Sequence, residues 1–152
     1  MPEFKYARGR IIESVRFISE EMKEFQEEYS QKTKIQYQSD RKLQKLMDRT
    51  VENILTALVE VSGTFLTERG ISAESYADAL EKCAQELGLN SAEQQELGAL
   101  AAQRNRLAHR YLNFRWQAVS DFSRKRPLIT KTISLMLKGE EENGKIEKKT
   151  LR

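Results

Sequence analysis

Several residue types that define other protein classes are scarce in this chain of 152 residues. It contains one cysteine, two prolines and seven glycines. A single cysteine cannot form an internal disulfide, and thiolate metal sites need more than one, so we expect a reducing compartment. An all-β domain needs a turn about every 8 to 12 residues, for which glycine and proline are too few. A sandwich or barrel is therefore disfavoured.

Long apolar runs are also missing. No stretch approaches the roughly 18 to 20 apolar residues of a membrane span, and the first residues lack the apolar core of a signal peptide. We therefore expect a cytoplasmic protein that has no membrane partner. With 39% hydrophobic and 32% charged residues, the composition predicts one helical domain with heavily charged outer faces.

Charge is distributed unevenly along the chain. Residues 1–103 carry 13 basic and 18 acidic side chains, whereas residues 104–138 carry nine basic residues and one acidic residue, Asp121. Such a swing indicates that the later segment faces an anionic partner, for which nucleic acid is the usual explanation. Internal neutralisation by the acidic half accounts for the same pattern equally well.

Apolar residues recur at helical spacing in the first half of the chain. One apolar stripe runs from Leu43 to Phe65 and predicts a helix over about residues 40–68. This helix is expected to end near Gly70, because glycine adopts the left-handed conformation of a helix end. Another apolar stripe, earlier in the chain, predicts a helix over about residues 4–29. Its members are Ile11, Val15, Ile18, Met22, Phe25 and Tyr29.

Shorter helices follow in the second half. One is expected within about residues 72–87. Asn90 and Glu93 have the spacing of a capping box, which begins a fourth helix. A last helical element begins after Asn113, its expected N-cap, and Pro127 must break or kink it because proline lacks an amide proton and clashes with the preceding turn.

Together these segments predict an all-α protein, an antiparallel bundle of four to five helices that occupies residues 1–137. The remaining residues, 138–152, contain two glycines among alternating charges. Their apolar content is too low for independent folding, so we expect this tail to be disordered or bound by a partner.

The segment from Gln103 to Tyr111 does not divide simply into core and surface, and it contains the only histidine. In a helix, Asn105 and His109 share a face, whereas Arg104 lies about 140° from His109. Histidine moves protons and arginine stabilises charge on phosphoryl oxygens, so this combination suits phosphodiester chemistry.

RNA supplies its own nucleophile, the 2′-hydroxyl beside the scissile phosphate. We expect no metal and no other cofactor, because the chain has one histidine, one cysteine and no His-Glu-x-x-His motif. Cleavage needs both an acid and a base. A symmetric homodimer that pairs His109 with its mate is the simplest way to supply two imidazoles.

Each of these residues also has a more ordinary interpretation. A lone histidine among arginines at a helix end is more often a surface cap than a catalyst. Trp116 and Phe122 fit a core, and Cys83 fits an inert core thiol. Residues 124–126, Arg-Lys-Arg, fit a solvated face that could also bind phosphates.

The string Arg104-Asn-Arg-Leu-Ala-His109-Arg-Tyr111 resembles the Arg-x4-His-x-Tyr signature of the HEPN superfamily, specifically the HepT-type toxins of prokaryotic toxin–antitoxin pairs. The order of helices over about residues 40–137 agrees, and the first helix matches in pattern only. The resemblance implies a metal-independent endoribonuclease toxin of a type VII-like system. It also implies a homodimer in whose cleft the two signatures meet.

By position, the resemblance implies that Arg104 polarises the phosphate and that His109 is the acid or base. Asn105 would orient the site and Tyr111 would line it. The implied partner is a minimal nucleotidyltransferase antitoxin that neutralises the toxin and can modify Tyr111 with AMP. Each added nucleotide would place a negative charge in a basic cleft, which would block and repel RNA.

Basic side chains in and after the signature are the candidates for binding the RNA backbone. HEPN relatives that lack catalysis use the same bundle for binding, so the alternative is a helical dimer that binds protein or nucleic acid without cleaving it. The candidate RNA-binding residues are Arg106, Arg110, Arg115, Arg124, Lys125 and Arg126.

Overall fold

Helices account for nearly all of the backbone in the computed structural model of the chain. The structure describes the backbone of residues 8–109 and 114–150 and the side chains of residues 10–109 and 114–142. Within these ranges there are seven α-helices and no β-strand, which confirms the all-α prediction. They are α1 (Arg8–Glu24), α2 (Lys34–Ser39), α3 (Arg41–Glu68), α4 (Tyr76–Glu86), α5 (Ser91–Ala108), α6 (Arg115–Arg124) and α7 (Arg126–Thr150).

The first helix lies where the sequence predicts it over the part that is described. Its apolar face packs on α3 and α7. One π-helical turn, Phe25–Tyr29, extends α1 and ends where the Ser30 amide donates to the Phe25 carbonyl oxygen at 2.9 Å. The wider turn keeps the rings of Phe25 and Tyr29 on the buried side.

Helix α3 is the centre of the bundle. It has 28 residues and contacts α1, α2, α4, α5 and α6. The Asp40 side chain accepts from the Leu43 amide at its start, and Gly70, at a φ of 69°, follows its end. Its fully buried positions recur at helical spacing and include Val51, Ile54, Leu58, Val61 and Phe65.

A short helix interrupts the polar stretch that precedes α3. Helix α2 is not predicted from the sequence, although Thr33 and Gln36 have capping-box spacing and form that box in the structure. The ring of Tyr37 anchors α2 to the core, where it is 1% exposed. A single buried aromatic residue therefore holds this one-and-a-half-turn helix against α3.

Helices α4 and α5 lie close together and lead to the signature segment. The capping box predicted at Asn90 and Glu93 is confirmed, with the Glu93 amide donating to Asn90 Oδ1 at 2.8 Å. A Cβ atom at Gly98 would lie 2.5 Å from Glu81 Oε1. A glycine at this position therefore lets α4 approach the backbone of α5.

The predicted break near Pro127 is confirmed. Helix α6 ends at Arg124 and α7 begins at Arg126, so Pro127 lies in the first turn of α7, where its missing amide proton is not needed. Asn113, the expected N-cap of this element, lies outside the described residues, and Phe114 precedes the first residue of α6. The short α2 and this break raise the number of described helices above the expected four to five.

Helix α7 continues past residue 137, which is the predicted end of the folded domain. Glu140 is 3% exposed, and a Cβ atom at Gly139 would lie 3.6 Å from a guanidinium nitrogen of Arg69. The backbone stays helical to Thr150. This helix differs from the expected tail, which the sequence predicts to be disordered or bound by a partner from residue 138. None of the helices in the described ranges is long and apolar enough to cross a membrane.

Candidate active site

Arg104 is held by contacts with two other helices. Its Nε donates to Thr56 Oγ1 of α3 at 3.3 Å. Its guanidinium carbon lies 5.6 Å from the centre of the Tyr76 ring at the start of α4. Nη1 also lies 3.4 Å from Asn105 Oδ1. The guanidinium is thus oriented before any ligand binds, which limits the conformational entropy that binding would cost.

His109 lies at the carboxyl end of α5, as the sequence predicts. It is the residue that ends the helix, with its backbone N–H directed to the carbonyl oxygens of Asn105 and Leu107. Leu107, 3% exposed, anchors this last turn to the core, whereas His109 itself is exposed. Arg104, Asn105 and His109 are therefore presented by the last two turns of one helix.

Two of the predicted site residues lie outside the described ranges. Arg110 and Tyr111 belong to the connection between α5 and α6, of which residues 110–113 are not described. The expected phosphate contact of Arg110 and the expected modification of Tyr111 remain predictions.

Two grooves border Arg104 and Asn105. The polar groove, of about 560 Å³, lies among α1, α3 and Arg104, and its charged lining residues are Glu13, Arg49, Glu52, Glu60 and Arg104. The apolar groove, of about 520 Å³, is lined by Ser75, Tyr76, Ala77, Ala101, Ala102 and Asn105.

Among the expected RNA-binding residues, Arg106 is close to the site but partly engaged. Its Nη1 donates to Gln103 Oε1 at 2.9 Å, and its guanidinium carbon lies 5.3 Å from the centre of the Phe114 ring. These contacts connect the end of α5 with the residue that precedes α6. Arg106 thus contacts Phe114, the first residue that the structure describes after the signature.

Arg115 differs from the expectation of an RNA-facing cation. It forms an ion pair with Asp48 at 3.2 Å, and the side chain is only 15% exposed. The structure thus places Arg115 in an internal network between α3 and α6. Internal neutralisation, the second interpretation of the charge pattern, applies at this position.

The basic run at residues 124–126 is divided among three environments. Arg124 is exposed and pairs with Asp121. Lys125 is 6% exposed, and its Nζ donates to the Glu96 carbonyl oxygen at 2.9 Å and lies 3.2 Å from Asp121 Oδ2. Arg126 donates to Ser123 and Gln26 and lies over the Phe25 ring. The burial of Lys125 differs from the expected position on a phosphate-binding surface, because the side chain points into the bundle.

A buried polar network that joins α2, α3 and α6 was not predicted. The Tyr37 hydroxyl donates to Asp48 Oδ1, Arg115 donates to Asp48 Oδ2, and the Tyr37 and Trp116 rings lie 5.1 Å apart. Burial raises the pKa of Asp48, although the Tyr37 hydrogen bond and the Arg115 charge act in the opposite direction. Burial also raises the pKa of Tyr37. No local sequence pattern predicts this network, because Tyr37 lies 11 residues and Arg115 lies 67 residues from Asp48.

Cys83 lies in the core as expected. It is 1% exposed, and burial raises the pKa of its thiol to about 12. In the described part of the chain, no three of the residues His, Cys, Asp and Glu are grouped so that they could hold a metal ion.

A helical bundle that presents Arg104, Asn105 and His109 at the end of one helix is the arrangement that the HEPN resemblance leads us to expect. Comparison with known protein families confirms the resemblance to the HepT-like family. Residues 18–129 match the family described as ribonuclease HepT-like, and the chain belongs to it. The match begins within α1, so it extends further toward the first helix than the motif-based resemblance. No curated protein is significantly similar to the chain.

Proposed function

We propose that this protein is a metal-independent endoribonuclease toxin in which Arg104 and His109 act on the scissile phosphate. The observation that carries the proposal is the fixed guanidinium of Arg104, held by Thr56 and the Tyr76 ring five residues before an exposed histidine. Membership in the ribonuclease HepT-like family supports the same activity.

The reaction needs two proton transfers and a site for negative charge. A base removes the proton of the 2′-hydroxyl, the resulting oxygen attacks phosphorus, and the P–O5′ bond breaks as an acid protonates the leaving oxygen. The products are a 2′,3′-cyclic phosphate and a 5′-hydroxyl end. The Arg104 guanidinium stabilises the charge that gathers on the non-bridging oxygens.

A homodimer completes the proposed chemistry. The chain has one histidine, so base and acid are the His109 residues of two subunits that meet about a two-fold axis. Asn105 orients this site and Tyr111 lines it. Arg106, Arg110 and Arg124 provide cations for the flanking RNA backbone, whereas Lys125 and Arg115 are held inside the bundle.

Control by a nucleotidyltransferase antitoxin is the regulatory part of the proposal. Transfer of AMP from ATP to the Tyr111 hydroxyl would break the bond between the α- and β-phosphates, release pyrophosphate and form a phosphodiester in the cleft. The added charge would occupy the position of the RNA phosphate and repel the strand. Intact-mass measurement of the protein after co-expression with such an enzyme, for wild type and for Tyr111→Phe, tests this part separately.

The test of the activity itself compares cleavage of a labelled single-stranded RNA by purified wild type, His109→Ala and Arg104→Ala, with a chelator present throughout. We expect both substitutions to reduce the rate by at least about 100-fold. Matched thermal unfolding of the three proteins controls for folding, since His109 is exposed and lies at a helix end.

Two outcomes would contradict the nuclease proposal. Wild-type protein that binds RNA without cleaving it would be a nucleic-acid-binding module. Protein that binds a partner protein but no RNA, with behaviour unchanged by His109→Ala, would be a non-catalytic helical dimer. Induced expression in cells, with growth arrest by wild type and none by His109→Ala, extends the test to toxicity.

A further inference from the structure

The nuclease chemistry assigns no occupant to the apolar groove, which is lined by Asn105 of the signature. None of its six lining residues is charged. It includes Tyr76, whose ring contacts Arg104, and Asn105, the residue that follows Arg104. One lining residue of the groove therefore contacts the guanidinium that we assign to the phosphate.

The two grooves differ in the charge of their lining residues. The polar groove contains Glu13, Glu52 and Glu60, which repel a polyanion everywhere except beside its arginines. The apolar groove has no cation that would attract a phosphate and no anion that would repel a neutral ring. Its chemistry therefore suits a flat, uncharged and partly apolar group.

Shape favours the same kind of occupant. Ala77, Ala101 and Ala102 contribute only methyl groups to the lining, so a planar ring can approach the helix surfaces closely. Tyr76 is 37% exposed, which leaves part of its ring available for stacking. A volume of about 520 Å³ lies within the range of small-molecule pockets and is sufficient for one nucleobase.

We propose that the apolar groove binds the nucleobase next to the scissile phosphate, with Tyr76 stacking on the base and the Asn105 amide bonding to its edge. Single-stranded RNA is usually recognised by such stacking on aromatic side chains together with hydrogen bonds to base edges. Because Arg104 and Asn105 are adjacent and Tyr76 contacts Arg104, a phosphate on Arg104 places a base of the same strand within reach. The inference rests on the proposed nuclease function.

The experiment uses the His109→Ala protein, so that RNA remains intact, and short single-stranded RNAs in which one nucleotide at a time is abasic. Binding is measured by fluorescence anisotropy. Removal of one particular base should weaken binding about 10-fold, within the range of a stacked base. Tyr76→Leu should weaken binding of intact RNA by the same factor, and removal of that base should then cause no further loss of affinity. Tyr76→Phe should still lose affinity when the base is removed, because its ring can stack.

A matched pair of substitutions tests the groove directly. Ala102→Leu fills the groove, whereas Ala99→Leu adds the same side chain at another exposed position of α5. Only Ala102→Leu should weaken RNA binding. Equal binding by the two variants, or an abasic penalty that persists in Tyr76→Leu, overturns the inference.

Oligomeric state and cleavage separate the remaining outcomes. If Ala102→Leu, but not Ala99→Leu, dissociates a dimer in light scattering, the groove is an interface with a second copy and the inference is wrong. The protein with His109 intact is tested for cleavage in parallel. If it cleaves RNA, and if Tyr76→Leu does not change the effect of removing one base, the inference fails and the nuclease proposal stands. If no RNA is bound or cleaved, both fail.

Discussion

Individual cations in the basic segment have different structural roles although they look alike in the sequence. Arg124 and Lys125 are neighbours, yet the first side chain is 68% exposed and the second 6%. Both pair with Asp121. Burial alone would raise the pKa of Asp121, but the hydrogen bonds from Lys125 and Arg124 hold it below its ordinary value. Net positive charge therefore overstates the surface that is available to an anion.

Substitution of these neighbours should separate stability from RNA binding. Lys125→Ala removes a buried donor from Asp121 and from the Glu96 carbonyl, so we expect a loss on the order of 2 to 3 kcal/mol in the free energy of unfolding by urea. Arg124→Ala should change that free energy by less than about 0.5 kcal/mol, because the pair is mostly exposed.

The same two substitutions should have the reverse effects on the salt dependence of RNA binding. Arg124→Ala should lower the dependence of log affinity on log salt by about one, and Lys125→Ala should leave it unchanged once folding is confirmed. A reduced salt dependence for Lys125→Ala would show that this amine reaches a phosphate despite its burial.

Cys83 gives a pH-dependent prediction. Its pKa is raised from the ordinary 9.0 to about 12, so the unfolded chain loses this proton at lower pH than the folded protein. The contribution of the thiol to stability is complete below pH 9 and is lost as the pH rises toward 12. Between these limits the unfolding free energy of wild type should fall more steeply than that of Cys83→Ala, by about 1.4 kcal/mol per pH unit. Parallel curves for the two proteins would contradict the burial of this thiol.

At the scale of helices, the features that could be predicted are those that local sequence encodes. The cap at Asn90, the break beside Pro127 and the stripe of α3 each depend on residues within a few turns of one another. The contact of Asp48 with Arg115 could not be predicted, because it joins residues far apart in the chain. The burial of Lys125 escaped prediction for a similar reason, since Glu96 lies 29 residues before it.

In the candidate site too, some features could be predicted from the sequence and others could not. The motif and its position at the end of α5 follow from sequence alone, including the exposure of His109 expected at a helix end. The contacts that orient Arg104 do not, because Thr56 lies 48 residues away on α3. The sequence thus indicates the candidate residues, and the tertiary structure determines which neighbours contact them.

The extent of α7 can be tested by truncation. A chain that ends after Glu142 should keep the thermal stability of the full protein, whereas one that ends after Leu137 should lose on the order of 1 kcal/mol. The reason is that Gly139 lies close to Arg69 and Phe65 and that Glu140 is buried. Equal melting temperatures for the two truncated chains would return the domain boundary to residue 137.

The whole molecule has one imidazole per chain, which makes subunit exchange a test of the proposed dimer. If each active site needs both His109 residues, an equilibrated equal mixture of wild type and His109→Ala should retain about one quarter of the wild-type activity, since only wild-type pairs are competent. Independent sites would retain about one half. The rate of RNA cleavage after exchange, compared with the rate immediately after mixing, distinguishes these cases.

The central position of α3 has a consequence for how the molecule opens. Helices from both earlier and later parts of the chain cover it, so no small fluctuation at one edge exposes its middle turns. Amide hydrogens near Ile54 and Leu58 should therefore exchange with deuterium only when the entire bundle unfolds, whereas those of α2 exchange through local opening. The slowest exchange rates in the protein would then measure its global stability, and Thr56, which orients Arg104, lies within this slowest-exchanging region.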